Sequence, residues 1–283
     1  MSTDPALRRA AFRRLHEGGC FVMPNPWDVG SARALQHLGF PALATTSAGM
    51  AFSRGLPDGG VPRADVLDHV RAIAGAVEVP VNADFESGFS ADAGGVAESV
   101  RLCVAAGVAG LSIEDATGDR AAPLFELGVA VERLRAAREA IDASGTGVVL
   151  TARAECHLVG HPDPLRESIR RLEAYAAAGA DCLYAPGLRT AQEVSAVVKA
   201  VTPLPVNVLA GAPGFSVAQL RDLGVRRISV GAALARAAWG AFLRAAEEIA
   251  GTGTFEGLAE AATFSRLNAF FTEEVKRRGK DEP

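Results

Sequence analysis

Short apolar runs of strand length alternate with stretches of helical periodicity along most of the chain, and this alternation constrains the fold more than any other feature. The β-prone runs occupy residues 20–23, 42–47, 80–85, 110–115, 147–155, 182–186, 205–210 and 227–231. Each run is followed by a helical stretch, and a series of eight such units is typical of parallel β/α architecture.

The junctions between helices and the following strands repeat one local pattern. A glycine follows the last helical residues in HLGF (37–40), AAGV (105–108), AAGA (177–180) and DLGV (222–225), where it is expected to cap the helix. No Pro/Ser-rich linker interrupts the series. We therefore predict one domain over residues 1–283, built as a (β/α)8 TIM barrel over about 20–249. A doubly wound open sheet is the alternative.

The segment after the eighth predicted helix, residues 254–279, carries an apolar stripe at helical spacing. The stripe consists of Leu258, Ala261, Phe264, Leu267, Phe270 and Phe271. Because a barrel is complete without this segment, we predict one or two additional C-terminal helices that form an extra layer or a subunit contact.

Composition excludes several classes of function. The formal net charge of −4 and the scattered Lys and Arg residues argue against a nucleic-acid partner. The four cysteines form no CxxC pair, and no window approaches 18 uninterrupted apolar residues. The arginine-containing N-terminal stretch lacks the apolar segment of a signal peptide. We expect a cytoplasmic protein with free thiols and no membrane contact.

Acidic side chains collect where the predicted strands end. The polar residues at or just beyond these ends are Asp84, Glu86, Glu114, Asp115, Arg153 and Glu155. Asp58 lies in the loop after the second strand, and Asn207 lies in the seventh strand. In a TIM barrel these positions meet at the catalytic face. Asp84 and Glu86 are expected to share one face of their strand, because strand side chains alternate.

So many carboxylates around a single arginine predict a cation between them. The candidate donors are all oxygens, which favours Mg²⁺, with Mn²⁺ as a second possibility, over zinc. A hydrated Mg²⁺ between Asp84 and Glu86 is one interpretation. The alternative is a structural ion-pair network of the acids with Arg153. The small residues of ATTSAGMAF (44–52) are consistent with an anion-binding backbone cradle or with a tight turn.

Six motifs in order resemble one known superfamily. NPWDVGSARAL, TTSAGMAFSRGLPDGG, PVNADFESGFS, GLSIEDATG, LTARAE and PVNVLAG span roughly residues 12 to 247. Together they resemble the isocitrate lyase/phosphoenolpyruvate mutase superfamily. The resemblance implies a (β/α)8 barrel whose eighth helix is swapped between the subunits of a dimer or tetramer.

The resemblance also implies roles for individual residues. Asp84 is expected to bind Mg²⁺ directly, and Asp58, Glu86 and Glu114 to hold it through water. Thr46, Ser47 and Ala48 match the superfamily's carboxylate cradle, and Asn207 matches a position that lines the site. Arg153 is expected to neutralise the anionic substrate, and Arg153 and Glu114 are the residues expected to take part in catalysis.

Two sequence departures from the superfamily bear on the reaction. Glu86 stands where a second aspartate is usual, and the loop 115–128 lacks the cysteine of isocitrate lyases and the lysine and asparagine of phosphonopyruvate-forming members. We expect a Mg²⁺-dependent lyase or decarboxylase that cleaves a C–C bond in a small 2-oxo or 2-hydroxy acid through an enolate. The alternatives are P–C bond chemistry and a barrel that binds 2-oxo acids with little or no catalysis.

Overall fold

A computed structural model describes residues 4–278 of the chain. Residues 1–3 and 279–283 belong to the predicted domain 1–283, and residue 279 to the predicted extension 254–279, but they lie outside the described residues. The chain divides into two compact units, residues 1–234 and 235–283. The single-domain organisation stays a prediction.

The first unit contains a sheet of eight parallel strands in the order β1-β8-β7-β6-β5-β4-β3-β2. The strands are β1 (Phe21–Met23), β2 (Leu43–Ala44), β3 (Val81–Asp84), β4 (Gly110–Glu114), β5 (Val149–Arg153), β6 (Cys182–Tyr184), β7 (Val206–Leu209) and β8 (Arg227–Ser229). The first strand pairs with the eighth, and the amide of Ala44 donates to the carbonyl of Pro24 (3.1 Å) between β1 and β2. The predicted (β/α)8 barrel is confirmed, and the open-sheet alternative is wrong.

Eleven α-helices lie within the described residues. They are α1 (Pro5–Glu17), α2 (Val29–His37), α3 (Ser47–Ser53), α4 (Arg63–Ala76), α5 (Ala93–Ala105), α6 (Leu127–Ala143), α7 (Pro164–Ala177), α8 (Ala191–Val201), α9 (Val217–Asp222), α10 (Ala233–Thr252) and α11 (Phe264–Arg278). No helix within residues 4–278 is long and apolar enough to cross a membrane.

The burial of the strands explains why each reads as a short apolar run. In β4 and β5 every residue except the last is buried, because the barrel interior covers one face and the helices cover the other. The exceptions are Glu114 and Arg153, the final residues of the two strands. Polar side chains thus emerge where the strands end, which is where the site forms.

Helix α1 precedes the barrel, and the strand and helix periodicity did not predict it. Its arginines donate to backbone carbonyls at the ends of other elements: Arg8 to Ala74 and Val77, Arg9 to Val104 and Val108, and Arg13 to Gly147 and Val148. Phe12 is fully buried, and a Cβ on Gly110 of β4 would lie 2.6 Å from its ring. Gly110 therefore leaves the space that lets α1 close the floor of the barrel.

The second predicted strand, 42–47, is shorter in the structure than the sequence suggested. Its extended part is Leu43–Ala44, and α3 begins at Ser47 with Thr46 as its N-cap. Thr46 Oγ1 accepts from the amide of Gly49 (3.3 Å), which satisfies one of the free amides of the first turn. The run of small residues is therefore the start of a helix rather than a tight turn.

The second unit contains most of α10, a short 3₁₀ turn (Glu256–Leu258) and α11. The Glu248 carboxylate of α10 accepts from the amides of Glu256 (2.8 Å) and Gly257 (2.6 Å), which fastens the turn to the helix. Large apolar side chains of this unit are exposed, Phe264 to 85% and Phe242 to 58%. The predicted additional C-terminal helices are present as the 3₁₀ turn and α11.

Candidate active site

A cavity of about 250 Å³ opens at the C-terminal ends of the strands and extends into the barrel. It is lined by Met23, Asn25, Ala44, Thr45, Thr46, Ser47, Ala48, Asp58, Asn82, Asp84, Ser112, Arg153, Leu158, Tyr184, Asn207, Leu209, Arg227, Ser229, Gly231 and Ala232. Seven of the nine predicted site residues are in this lining; Glu86 and Glu114 are the other two. The structure thus brings the predicted cradle, Asp58, Asp84, Arg153 and Asn207 to one place.

The guanidinium of Arg153 lies among three carboxylates. Its Nη1 is 3.2 Å from Glu114 Oε2 and 3.5 Å from Asp84 Oδ1, and its Nε donates to Glu155. The ring of Tyr184 lies on another side, 5.3 Å from the guanidinium carbon. A buried charge needs such partners, because removing it from water is costly. Burial alone would lower the pKa of Arg153, but the carboxylates outweigh it and raise that pKa.

The backbone of α3 faces Asp84. The amide of Ser47 donates to Asp84 Oδ2 (3.0 Å), and the amide of Asp84 donates to Thr45 Oγ1 (2.9 Å). The amides of Ser47 and Ala48 belong to a first helical turn, where backbone N–H groups attract anions. Of the two interpretations of residues 44–52, this geometry favours the anion-binding cradle.

Glu86 lies beyond the end of its strand. Strand β3 ends at Asp84, and Glu86 has a φ of 47°, in the left-handed region that few non-glycine residues adopt. The expectation that Asp84 and Glu86 share one strand face was therefore wrong, because the chain has already turned. The carbonyl of Glu86 accepts from the amide of Glu114 (2.9 Å), which attaches this turn to the end of β4.

Burial and mutual repulsion raise the pKa values of two carboxyl groups at the mouth. Burial, with the charges of Asp84 and Asp58, raises the pKa of Glu86 to about 7. Burial also raises the pKa of Glu114 to about 8, with Glu155, Asp84 and Glu86 adding to the shift and Arg153 opposing it. In both cases burial is the largest cause, and the neighbouring carboxylates add to it.

This donor set fits a hydrated divalent cation better than a directly coordinated one. In residues 4–278 no three Asp, Glu, His or Cys side chains converge closely enough to hold a metal by themselves. Mg²⁺ keeps several waters and needs one or two carboxylates, and the surplus of acid at the mouth supplies both direct and water-mediated donors. In this structure the positive group between Asp84 and Glu114 is Arg153, so the predicted ion-pair network is present too.

Asp115 and Glu155 face opposite sides of the barrel wall. Asp115 turns away from the cavity, accepting from the Tyr175 hydroxyl (2.6 Å), from Arg171 Nη1 (3.1 Å) and from the amide of Glu155 (2.8 Å). Glu155, which was not among the predicted site residues, turns inward to Arg153. The period-two alternation of Glu114 and Asp115 was the signal that Asp115 faces outward.

Asn207 lies deeper than the other predicted substrate-binding residues. Its Nδ2 donates to Ser229 Oγ (3.0 Å) and its Oδ1 accepts from Arg227 Nε (2.9 Å). Tyr184, Ser229 and Arg227 line the same cavity and were not predicted. The polar lining therefore continues from the mouth towards the barrel floor.

The loop after β4 is held by hydrogen bonds to itself and to neighbouring helices. Ala116 and Leu124 form an antiparallel bridge, and the amide of Phe125 donates to the carbonyl of Asp115 (2.9 Å). Arg171 of α7 donates to the carbonyl of Phe125 (2.9 Å), and the Arg133 guanidinium of α6 lies 3.7 Å from the Phe125 ring centre. These contacts anchor both ends of the loop in the conformation seen here.

The family model described as phosphoenolpyruvate phosphomutase matches residues 12–250. The chain belongs to this family. Its relatives include an oxaloacetate decarboxylase from Bradyrhizobium diazoefficiens, 32% identical over 97% of this chain and 96% of that protein. The resemblance to the isocitrate lyase/phosphoenolpyruvate mutase superfamily is thereby confirmed.

Solved structures of the superfamily share the fold along nearly the whole chain. A Burkholderia cenocepacia J2315 protein described provisionally as a lyase/mutase is 49% identical, with a TM-score of 0.89 and coverage of 94% of this chain and 96% of that one. A 2,3-dimethylmalate lyase, a phosphoenolpyruvate mutase/isocitrate lyase superfamily member, is 27% identical, with a TM-score of 0.84 and coverage of 97% and 99%. The family thus includes proteins named for lyase chemistry as well as for phosphomutase chemistry.

Proposed function

We propose that this protein is a Mg²⁺-dependent carbon–carbon lyase that acts on a small 2-oxo or 2-hydroxy carboxylic acid. The observation that carries the proposal is the position of Arg153, which lies among Asp84, Glu114 and Glu155 at the mouth of a cavity that the first turn of α3 also borders. This geometry supports the proposal, because the guanidinium supplies fixed positive potential beside a cluster of acids. The oxaloacetate decarboxylase and the 2,3-dimethylmalate lyase support C–C cleavage as the reaction.

The acids of the proposed cation site contact the metal in two ways, directly or through water. We assign Asp84 as the direct ligand and Asp58, Glu86 and Glu114 as acceptors for the metal's water ligands. Mn²⁺ suits the same oxygen donors. When bound, such a cation stabilises the negative charge that develops on the oxygen next to a breaking C–C bond.

The protein's own groups bind and orient the acid. We assign the substrate's carboxylate to the cradle of Thr46, Ser47 and Ala48 together with Arg153. The amide of Ser47, which donates to Asp84 in this structure, would be shared between Asp84 and the substrate. Asn207 contacts the part of the substrate that reaches deeper into the barrel. Glu114 helps to hold Arg153 in place, because its carboxylate forms an ion pair with the same nitrogen, Nη1, that lies near Asp84.

The choice between decarboxylase and lyase rests on how the carbanionic product is protonated. Among the described residues that line the cavity there is no cysteine, lysine or histidine. Burial raises the pKa of Tyr184 to about 12, so its hydroxyl keeps a proton at neutral pH. Protonation by water or by Tyr184 suits a decarboxylase, and oxaloacetate is the first substrate to test.

We also propose that the protein is a homodimer or homotetramer in which α10 is exchanged between subunits. The exposed apolar side chains of the second unit support this assembly, since an isolated chain would leave Trp239, Phe242 and Phe264 in water. A cytoplasmic location stays a prediction that rests on the four free cysteines.

A panel of acids tested with purified protein distinguishes the proposed reaction from its alternatives. Oxaloacetate, 2,3-dimethylmalate, isocitrate, 2-methylisocitrate, 2-oxoglutarate and phosphonopyruvate are incubated with Mg²⁺ or with EDTA, and products are followed by ¹H and ³¹P NMR. Mg²⁺-dependent C–C cleavage of one acid supports the proposal. Turnover of phosphonopyruvate alone indicates P–C chemistry. Line broadening of an acid that stays intact indicates a binding protein.

A further inference from the structure

One row of side chains connects the mouth of the barrel with its floor. The residues paired across successive strands are Glu114, Arg153, Tyr184, Asn207 and Arg227, from the end of β4 to the start of β8. Because barrel strands are staggered, a row of paired residues descends from one end of the barrel to the other. The row is polar throughout and leads to a second arginine.

Arg227 is an almost fully buried cation that has only neutral partners. Its exposed fraction is 2%, and its partners are Asn207 Oδ1 at Nε (2.9 Å), Thr151 Oγ1 at Nη2 (3.0 Å) and His16 Nε2 at Nη1 (3.3 Å). Within residues 4–278 no carboxylate lies within ion-pair distance of it. Arginine stays charged in proteins, so this charge is buried without a counter-ion.

The neighbouring histidine does not supply the missing negative charge. His16 Nδ1 lies 2.8 Å from the carbonyl of Phe12, so it carries the proton and leaves Nε2 as the acceptor for Arg227. Burial and the charge of Arg227 lower the pKa of His16 to about 3. The imidazole is therefore neutral at physiological pH.

A further observation points to a missing anionic occupant. A guanidinium has five N–H groups, and the three bonds above leave two without a partner among the described residues. Arg227 also lines the cavity, so an occupant of the cavity floor can reach it. An uncompensated buried charge is costly, and buried polar atoms normally have partners.

We propose that the floor of the cavity is a subsite for a small monoanion of the carboxylate class, which binds the free N–H groups of Arg227. A carboxylate matches the planar fork of a guanidinium and neutralises it. The anion is either the second carboxylate of a dicarboxylic substrate or a free carboxylate. The first source rests on the proposed function, whereas anion binding itself does not.

The test uses metal-free protein and sodium formate as the probe. Formate is titrated against sodium gluconate at constant ionic strength, with EDTA present, and the midpoint of thermal unfolding is recorded. We expect a saturable rise in the midpoint for the wild type. Arg227→Met should abolish this rise, and Arg227→Lys, which keeps the charge without the fork, should raise the half-saturating concentration at least tenfold.

Arg226→Met is the matched control. Arg226 is the preceding residue and carries the same charge, but its Nη1 donates to the carbonyl of Gly19 (3.0 Å), outside the cavity. In Arg226→Met, formate should raise the thermal midpoint as much as it does in the wild type. Should Arg227→Met not fold, Arg227→Lys decides the test. No saturable response in the wild type, or a response that Arg227→Lys leaves unchanged, would overturn the proposal.

Kinetics then identify the source of the carboxylate. If it is the substrate's own, formate competes with the dicarboxylic substrate, and Arg227→Lys raises KM about tenfold while kcat changes little. If it is a free anion, formate binds without competing. A protein that shows no turnover still gives the formate result, so failure of the proposed reaction is distinguishable from failure of the subsite.

Discussion

Nη1 of Arg153 lies 3.2 Å from Oε2 of Glu114, at the point where β4 and β5 end side by side. The two residues are paired in register, so the strand pairing itself holds the arginine against the acid. The same guanidinium reaches Asp84 and Glu155. Asp84, Glu114 and Arg153 are therefore positioned by the ends of the barrel strands.

Two replacements of Arg153 should distinguish the contribution of its charge from that of its planar guanidinium. Arg153→Met leaves three carboxylates without their partner, and breaking a buried ion pair costs about 3–5 kcal/mol of stability. Arg153→Lys should recover much of that stability but not the activity, because lysine lacks the planar fork. We expect kcat/KM to fall at least about 10²-fold in both variants, by analogy with the loss of one oxyanion donor.

Arg138→Met is the control for Arg153→Met. Arg138 has a similarly covered side chain and is paired with Asp181 (2.9 Å), outside the mouth. The Arg138→Met variant should be less stable than the wild type in chemical denaturation, and its folded form should keep wild-type activity. An Arg153→Lys variant with wild-type kcat/KM would contradict the role assigned to this residue.

Glu86→Gln should weaken metal binding and stabilise the metal-free protein. Loss of a residue that holds metal-bound water typically costs about 10–100-fold in affinity, which Mg²⁺ titration measures. The raised pKa of Glu86, about 7, means that its ionisation opposes folding as pH rises from about 4.5 to 7. The gain in thermal midpoint should therefore be complete at pH 8 and absent at pH 4. Equal gains at both pH values would contradict this assignment.

Asp115→Asn should lower both the stability and the kcat of the protein, although Asp115 faces away from the cavity. Asp115 holds the amide of Glu155 (2.8 Å), and an asparagine amide would face the donors of Tyr175 and Arg171. We expect a loss of about 3 kcal/mol from unpaired buried groups, together with a lower kcat as Glu155 shifts. Asp92→Asn, at the N-cap of α5, should change neither property, since asparagine caps helices as well as aspartate. Unchanged kcat in Asp115→Asn would remove its positioning role.

His16 should make the protein less stable in mild acid. Its folded pKa is lowered to about 3, so the unfolded state binds the extra proton first as pH falls below about 6.5. The stability contributed by neutral His16 is complete above pH 6.5 and is lost at up to about 1.4 kcal/mol per pH unit below it. Denaturant unfolding between pH 7 and 4.5 should show this slope in the wild type and in the exposed control His37→Gln. A His16→Gln variant with the same slope as the wild type would assign the effect to other groups.

The sequence predicted the barrel well because its signal is local. Each strand is buried on both faces, which produces a short apolar run, and each polar strand end marks the mouth. Asp84, Glu114 and Arg153 were found for this reason. The outward turn of Asp115 followed the same alternation and was predictable in principle.

The remaining features depend on long-range contacts. Helix α1 closes the barrel through arginines that reach carbonyls 66 to 135 positions away, and the sequence shows only a basic stretch. The φ of 47° at Glu86 depends on the attachment of its carbonyl to Glu114, across 28 positions. Arg227 stands beside a second arginine in RRISVG, and only the folded barrel shows which of the two faces the cavity.

The most direct test of the proposed function is the rate of pyruvate formation from oxaloacetate by the purified protein. The rate is measured with Mg²⁺, with EDTA, without protein and with Asp84→Asn, since free Mg²⁺ alone decarboxylates oxaloacetate slowly. We predict a protein-dependent rate that requires Mg²⁺ and falls to the no-protein rate in Asp84→Asn. A protein-dependent rate that persists in EDTA or in Asp84→Asn would contradict the metal-assisted reaction assigned to this site.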